Sequence, residues 1–234
     1  MKEHHPKLVV DNQAFDPYFS LVYRELIEEL TANIRISHFT RNSDVIGAYA
    51  EASICRLVKR VLSPYRVSTG AVISPELHIA KNDIPQLDLI AWTPAPLPAL
   101  FEVDSFALVP RRSVIGIMEI KRSNYSGVGT RLAGVLSRMN ELTSDRLADE
   151  DRSDWGIGIV VILEGDSDRV LRKQIEEGRT IALLEKHSEG YEPRENDIMR
   201  LINFLSNTRG RGKAVDGIAQ LMPNKASLLT PGLP

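Results

Sequence analysis

Residues 113–121 read Ser113-Val-Ile-Gly-Ile-Met-Glu-Ile-Lys121, an apolar run that ends in two opposite charges one residue apart. Its density of branched aliphatic residues predicts a central β-strand. Residues i and i+2 of a strand share a face, so Glu119 and Lys121 stand side by side while Ile120 points the other way, into a core. Charges at the end of such a run are costly to bury without a partner or a task. Glu119 is the only Asp or Glu in the chain that stands two residues before a lysine. A second short run, Pro85-Gln-Leu-Asp-Leu-Ile-Ala-Trp92, repeats the pattern with Gln86 and Asp88 as another i, i+2 polar pair. The plain alternatives are a strand-end salt bridge for Glu119 and Lys121, worth little at a surface, and a turn cap for Asp88.

Working outward, apolar residues recur at helical spacing from Asp16 to about His38, with Pro17 at the first helical position. A second helix is expected from Ser43 to Leu62, capped by Ser43 or Asp44 and ended by Pro64. Residues 65–74 read as a strand with a bulge or turn at Gly70, and Leu87 to Trp92 as the next strand. Pro94, Pro96 and Pro98 predict an exposed connector, followed by a short edge strand within Leu100 to Leu108. Ser126-Gly-Val-Gly-Thr130 leads into a helix. Gly156 to Leu163 is so continuously apolar that it predicts a strand buried on both faces. A helix from Ser167 to Glu177, a strand from Ile181 to Leu184 and a helix from Glu195 to Leu205 complete the pattern. The expected fold class is α/β, a mixed central sheet flanked by helices. Residues 1–14 are read as a loose N-terminus, 15–206 as one domain, and 207–234 as a Gly-, Arg- and Pro-rich tail with one short helical possibility at Ala214 to Leu221.

The 234 residues are 43% hydrophobic and 26% charged, ordinary for a globular protein. A single cysteine, Cys55, excludes an internal disulfide framework and a cysteine-rich zinc site. The first residues lack the apolar core of a signal peptide and no apolar stretch reaches membrane-spanning length, so the cytoplasm is the expected compartment. A net charge of −2 carries no global nucleic-acid signature, so any such binding needs a local basic patch. Arg111, Arg112, Arg122, Arg131 and Arg138 are candidates for a phosphate track, and Arg209-Gly-Arg-Gly-Lys213 for a flexible phosphate-binding arm. The bland alternative for both is solvated charge. The histidines show no ligand spacing, and Gly156-x-Gly158 precedes a strand, unlike a dinucleotide fingerprint.

A third acid, Glu51, lies in the second helix four residues after Gly47, on the same helix face. A mid-helix glycine costs about 1 kcal/mol relative to alanine, which leads us to expect close packing at Gly47. Such packing directs Glu51 toward Asp88 and Glu119; otherwise Glu51 is an ordinary exposed acid. Mg²⁺ prefers one or two carboxylates and completes its shell with water and phosphate. Asp88, Glu119 and the carbonyl of Ile120 are the candidate ligands, with Mn²⁺ a possible substitute. Lys121, a compact cation beside them, is a candidate to position or deprotonate a water or to stabilise a transition state.

The segments Ile46-Gly-Ala-Tyr-Ala-Glu51, Ser68-Thr-Gly-Ala-Val-Ile73, Gln86-Leu-Asp-Leu-Ile90 and Ser113 to Lys121 occur in this order. Over about residues 35–165 the chain resembles the PD-(D/E)XK nuclease superfamily. More specifically, it is similar to an uncharacterised bacterial branch with Gly-x-x-x-Glu, Gln-x-Asp and Glu-x-Lys motifs. The resemblance implies a restriction-endonuclease-like fold and a Mg²⁺-dependent hydrolase that cuts phosphodiester bonds, with DNA as the expected substrate. It carries catalytic roles onto Asp88, Glu119 and Lys121, with Glu51 and Gln86 in support. The superfamily also contains members without catalysis, so the alternative is a module that binds nucleic acid or a protein partner without cutting. A homo-oligomer is compatible with either.

Overall fold

The computed structural model describes residues 17–36, 38–73, 86–143, 155–165, 168–188 and 190–221, with backbone alone for 17–20, 139–143 and 213–221. Helices α1 (Pro17–Ile36) and α2 (Ser43–Val61) precede a run of strands: β1 (Arg66–Ile73), β2 (Leu87–Trp92), β3 (Phe101–Val103), β4 (Phe106–Pro110) and β5 (Val114–Ser123). Then come α3 (Val128–Thr143), β6 (Gly156–Glu164), α4 (Arg169–Glu176), β7 (Thr180–His187), β8 (Gly190–Pro193) and α5 (Glu195–Leu221). The eight strands form one sheet in the order β3-β4-β1-β2-β5-β6-β7-β8. Strands β5, β6 and β7 run parallel through the crossover helices α3 and α4, whereas β1, β2 and β5 pair antiparallel. This is the mixed α/β sheet expected from the sequence.

Alternation along the strands sorts the apolar residues into two layers. Leu89, Ala91, Met118, Ile120, Ile159 and Ile181 face α1, α2 and α5 in one core. Ile90, Trp92 and Ile117 pack on the opposite face with Leu136 of α3, and Val160 and Ala182 with Leu132 of α3 and Leu171 of α4. Burying both faces is what makes β5 and β6 read as unbroken apolar runs.

Several boundaries differ from the sequence reading. The α2 cap is Asn42, whose side chain accepts from the backbone N–H groups of Asp44 and Val45, rather than Ser43 or Asp44. The single edge strand expected within 100–108 is a hairpin, β3 and β4, turned at Asp104, which adopts φ 51°. Strand β8 was missed because Gly190-Tyr-Glu-Pro193 carries turn residues; as an edge strand it tolerates the proline. The expectations for the loose N-terminus, Asp16, Pro85 and the loops around 81–83 and 149–154 lie outside the described residues.

The largest difference is at the C-terminal end. The proposed tail boundary at 207 falls inside α5, so the flexible basic arm at 209–213 is helix. Thr208 is fully buried against Gly116, and the Arg211 guanidinium lies 5.0 Å from the Trp155 ring centroid and 5.7 Å from that of Phe204. Arg211 Nε donates to the Ile115 carbonyl at 2.9 Å. Gly212 breaks the helical pattern in sequence, yet a Cβ there would stand 2.4 Å from the Tyr65 ring. It is a close-packing glycine, not a linker glycine.

Gly47 behaves in the opposite way: a Cβ at this position meets nothing within 4 Å, so the expected close packing is absent. At Gly70 a Cβ would stand 2.0 Å from the Ala107 carbonyl oxygen, and φ is +137°. Gly47→Ala is therefore expected to raise stability by about 0.5–1 kcal/mol. Gly70→Ala is expected to lower it by about 2 kcal/mol or more, through overpacking and backbone strain. Urea unfolding of the two variants beside the parent checks both signs.

Candidate functional site

The site is built where β2 meets β5. Their ladder registers Ala91 with Gly116, Ile90 with Ile117 and Leu89 with Met118. On the other side of β2, Ser68 pairs with Ile90 but Gly70 pairs with Leu87, so β2 carries one extra residue over this stretch. A bulge re-aims side chains without ending the strand. Here it keeps Leu87 in the core with Ile90 and Trp92 and frees Asp88 to reach β5. Asp88 Oδ2 accepts from the backbone N–H of Ile120 at 2.8 Å and from Lys121 Nζ at 2.9 Å. A side-chain carboxylate thus takes over as acceptor where the Leu89–Met118 pairing ends.

Glu119 and Lys121 share a face of β5, as the i, i+2 spacing predicts, and Lys121 Nζ lies 2.8 Å from Glu119 Oε1. The same ammonium donates to the Ile120 carbonyl at 3.0 Å. Glu119 is 3% exposed, and its Oε2 is buried with no hydrogen-bond partner. In parallel register Glu119 pairs with Gly158, where a Cβ would stand 2.6 Å from Thr180 Oγ1. The neighbouring strand therefore approaches Glu119 without a side chain of its own. Sequence reasoning noted Gly158 but missed this role; its signal was a glycine inside a continuous apolar strand.

Burial raises the pKa of Glu119, and the nearby Asp88 charge raises it further against the lowering effect of Lys121. Burial by itself would lower the pKa of Lys121, but hydrogen bonds to Glu119 and Asp88 and their charges outweigh it, holding the lysine protonated. Glu51 on α2 is half-buried. Its pKa is raised first by burial and then by Asp88 and Glu119, with Lys121 opposing. Glu51 therefore stands within electrostatic reach of all three residues, although the glycine expected to seat its helix is in open space.

The other candidates are placed less closely. Gln86 is exposed immediately before β2. Arg111 is buried and Arg112 exposed in the 3-10 turn at the start of β5, at the opposite end of the strand from Lys121. Arg122 points to the face opposite Lys121 and pairs with Glu164 at 3.8 Å. Arg131 and Arg138 are exposed on α3. The five arginines are thus spread over both ends and both faces of the sheet rather than drawn into one track. Sequence reasoning also missed Asn124, whose amide donates to the Glu164 carbonyl at 2.9 Å and accepts from the Glu164 N–H, pinning the chain after β5 to the end of β6.

Among the described residues no three His, Cys, Asp or Glu side chains gather into a ready-made metal cage. What is present is two carboxylates, one of which keeps a buried oxygen without a hydrogen-bond partner, and one backbone carbonyl. That donor set suits Mg²⁺, which binds through one or two carboxylates and draws its remaining ligands from water and phosphate.

No protein-family model matches the chain, and no curated protein matches it. Among solved structures it is similar to NucC of E. coli MS115-1 in a cAAA-bound form, with a TM-score of 0.53 and 13% identity, covering 84% of this chain and 93% of that one. It is also similar to cAAA-bound NucC of P. aeruginosa ATCC27853, with a TM-score of 0.52 and 12% identity, covering 87% and 98% respectively. At such identity the likeness is one of fold, and that fold is the restriction-endonuclease-like α/β arrangement. No helix among the described residues is long and apolar enough to cross a membrane.

The raised pKa of Glu51 fixes the sign of a pH effect. Glu51 binds its proton more tightly folded than unfolded, so its ionisation destabilises the fold as pH rises from the ordinary carboxylate range through its folded value. In EDTA, Glu51→Gln is expected to resist urea better than the parent at pH 7–8. The advantage should shrink toward pH 4, and parallel melts across that range check it.

Proposed function

We propose that the chain is a metal-dependent nuclease that hydrolyses phosphodiester bonds, with DNA as its substrate and the PD-(D/E)XK superfamily as its origin. One observation carries the reading: Asp88 Oδ2, Glu119 Oε1 and the Ile120 carbonyl oxygen converge on a single cation-sized point beside an unpartnered buried oxygen of Glu119. Two acids and a lysine gathered on a bulged strand junction are more than a surface ion pair requires. The restriction-endonuclease-like fold supports the reading, because it brings Asp88 and the Glu119-x-Lys121 pair onto adjacent strands.

Asp88, Glu119 and the Ile120 carbonyl are the groups that would hold Mg²⁺ or Mn²⁺. Such an ion, when bound, polarises the phosphate and neutralises the charge that develops on it. Asp88 does two jobs, since the Ile120 N–H locks its carboxylate against β5 while the same oxygen faces the cation position. Lys121 supplies a protonated amine to orient the attacking water or to offset charge on the phosphate oxygens. Glu51, half-buried and with its proton affinity raised by burial and by Asp88 and Glu119, is the group we assign to take a proton from water at its carboxylate oxygen. Arg131, exposed on α3, is the arginine we assign to phosphates outside the immediate site.

Supercoiled plasmid incubated with purified protein and Mg²⁺ or Mn²⁺ is expected to be nicked, and EDTA to abolish the nicking. Asp88→Ala and Lys121→Ala, shown to be folded by circular dichroism, should each lower the rate by about 10²-fold or more. Salt-sensitive DNA binding without cleavage by the parent protein would instead identify a catalytically silent binding module.

A further inference from the structure

We infer that Lys121 is the built-in counter-cation of this site and gives up its place when a divalent ion binds, so that filling the site and freeing the lysine are one event. The inference rests on the metal-site reading above and concerns what the lysine does before the ion arrives. An ammonium has three N–H donors and no acceptor. In Lys121 all three have partners: Asp88 Oδ2 at 2.9 Å, Glu119 Oε1 at 2.8 Å and the Ile120 carbonyl at 3.0 Å. These are the same three oxygens proposed to hold the ion.

The coincidence has two physical consequences. An ammonium sits nearly 3 Å from its acceptors, whereas Mg²⁺ requires its oxygens at about 2.0–2.1 Å, so one set of oxygens cannot serve both around the same point. The lysine as it stands also has no N–H left for a water or a phosphate, so the role proposed for it requires that it move. Its four-carbon stem permits this, being flexible and unbranched. Its side chain is only 13% exposed in the folded chain, so its release is a change from a sheltered to a more accessible amine. Two carboxylates against one ammonium leave the pocket with net negative charge, which favours exchange of a monovalent cation for a divalent one.

The test reads binding and lysine accessibility, not cleavage. Mn²⁺ titrated calorimetrically into the parent and into Lys121→Met should bind the variant about tenfold more tightly or better, the worth of at least one charge-assisted hydrogen bond removed from competition. Mere like-charge repulsion from a nearby lysine would also tighten binding, so a second measurement separates the two. In the parent protein, acetylation of Lys121 by an amine-reactive ester, followed by mass spectrometry, should be slow in EDTA and severalfold faster at saturating Mg²⁺. Unchanged Lys121 reactivity at saturating metal overturns the inference, as does equal or weaker Mn²⁺ binding by the folded variant, while leaving the metal site standing. If neither protein binds Mn²⁺, but both fold, the metal-site reading itself fails and the inference with it. The acetylation arm uses the parent chain and so survives any failure of the variant to fold.

Discussion

The Asp88 carboxylate is the tie on which the rest of the site depends. A single oxygen accepts from the backbone of β5 and from the lysine two residues beyond Glu119. It therefore fixes the position of β2 against β5 and the position of the charge at the same time. Because that acceptor is a side chain, the backbone of β2 is free to bulge, and the bulge lets Leu87 stay in the core while Asp88 turns to β5. Strand position and charge placement are both set by one oxygen that accepts two hydrogen bonds.

Around this tie the sheet is built by close approach. Gly70 admits the Ala107 carbonyl, Gly116 admits Thr208 of α5, Gly158 admits Thr180 next to Glu119, and a Cβ at Gly129 would collide with Leu171 of α4. Each glycine removes a side chain where a strand or helix must come within van der Waals range of its neighbour. The consequence for the site is that Glu119 is buried beside Gly158, a neighbour with no side chain to offer it a donor. That burial leaves one of its oxygens without a donor and raises its affinity for a proton. Uncompensated burial of this kind costs free energy, which under the proposed function a bound cation would recover.

Much of this was legible beforehand. The central strands, the crossover helix after β5 and the facing of Glu119 with Lys121 follow from apolar density and the two-residue period alone, and Asp88 was recognisable as an acid out of pattern. Other elements were not. The helical pattern of α5 breaks in sequence at Asn207, Gly210 and Gly212, and only the presence of Tyr65, Trp155 and Gly116 from distant segments explains why it continues. Gly47 and Gly70 look alike as interruptions of regular patterns, yet one lies in open space and the other touches a carbonyl. The basic residues, close in sequence around β5, are separated because strand alternation and the length of the strand send them to different faces and ends.

By itself, then, the sequence determined that β5 and β6 are buried on both faces, that they lie centrally, and that Glu119 and Lys121 share one face of their strand. Those depend on local periodicity, and periodicity is a property of the chain. The tertiary structure alone decided that Asp88 closes onto the backbone of Ile120, that Lys121 spends all three of its protons on the candidate ligands, and that the basic arm is a helix packed on Trp155. These depend on distances between segments far apart in the chain, which no local pattern encodes.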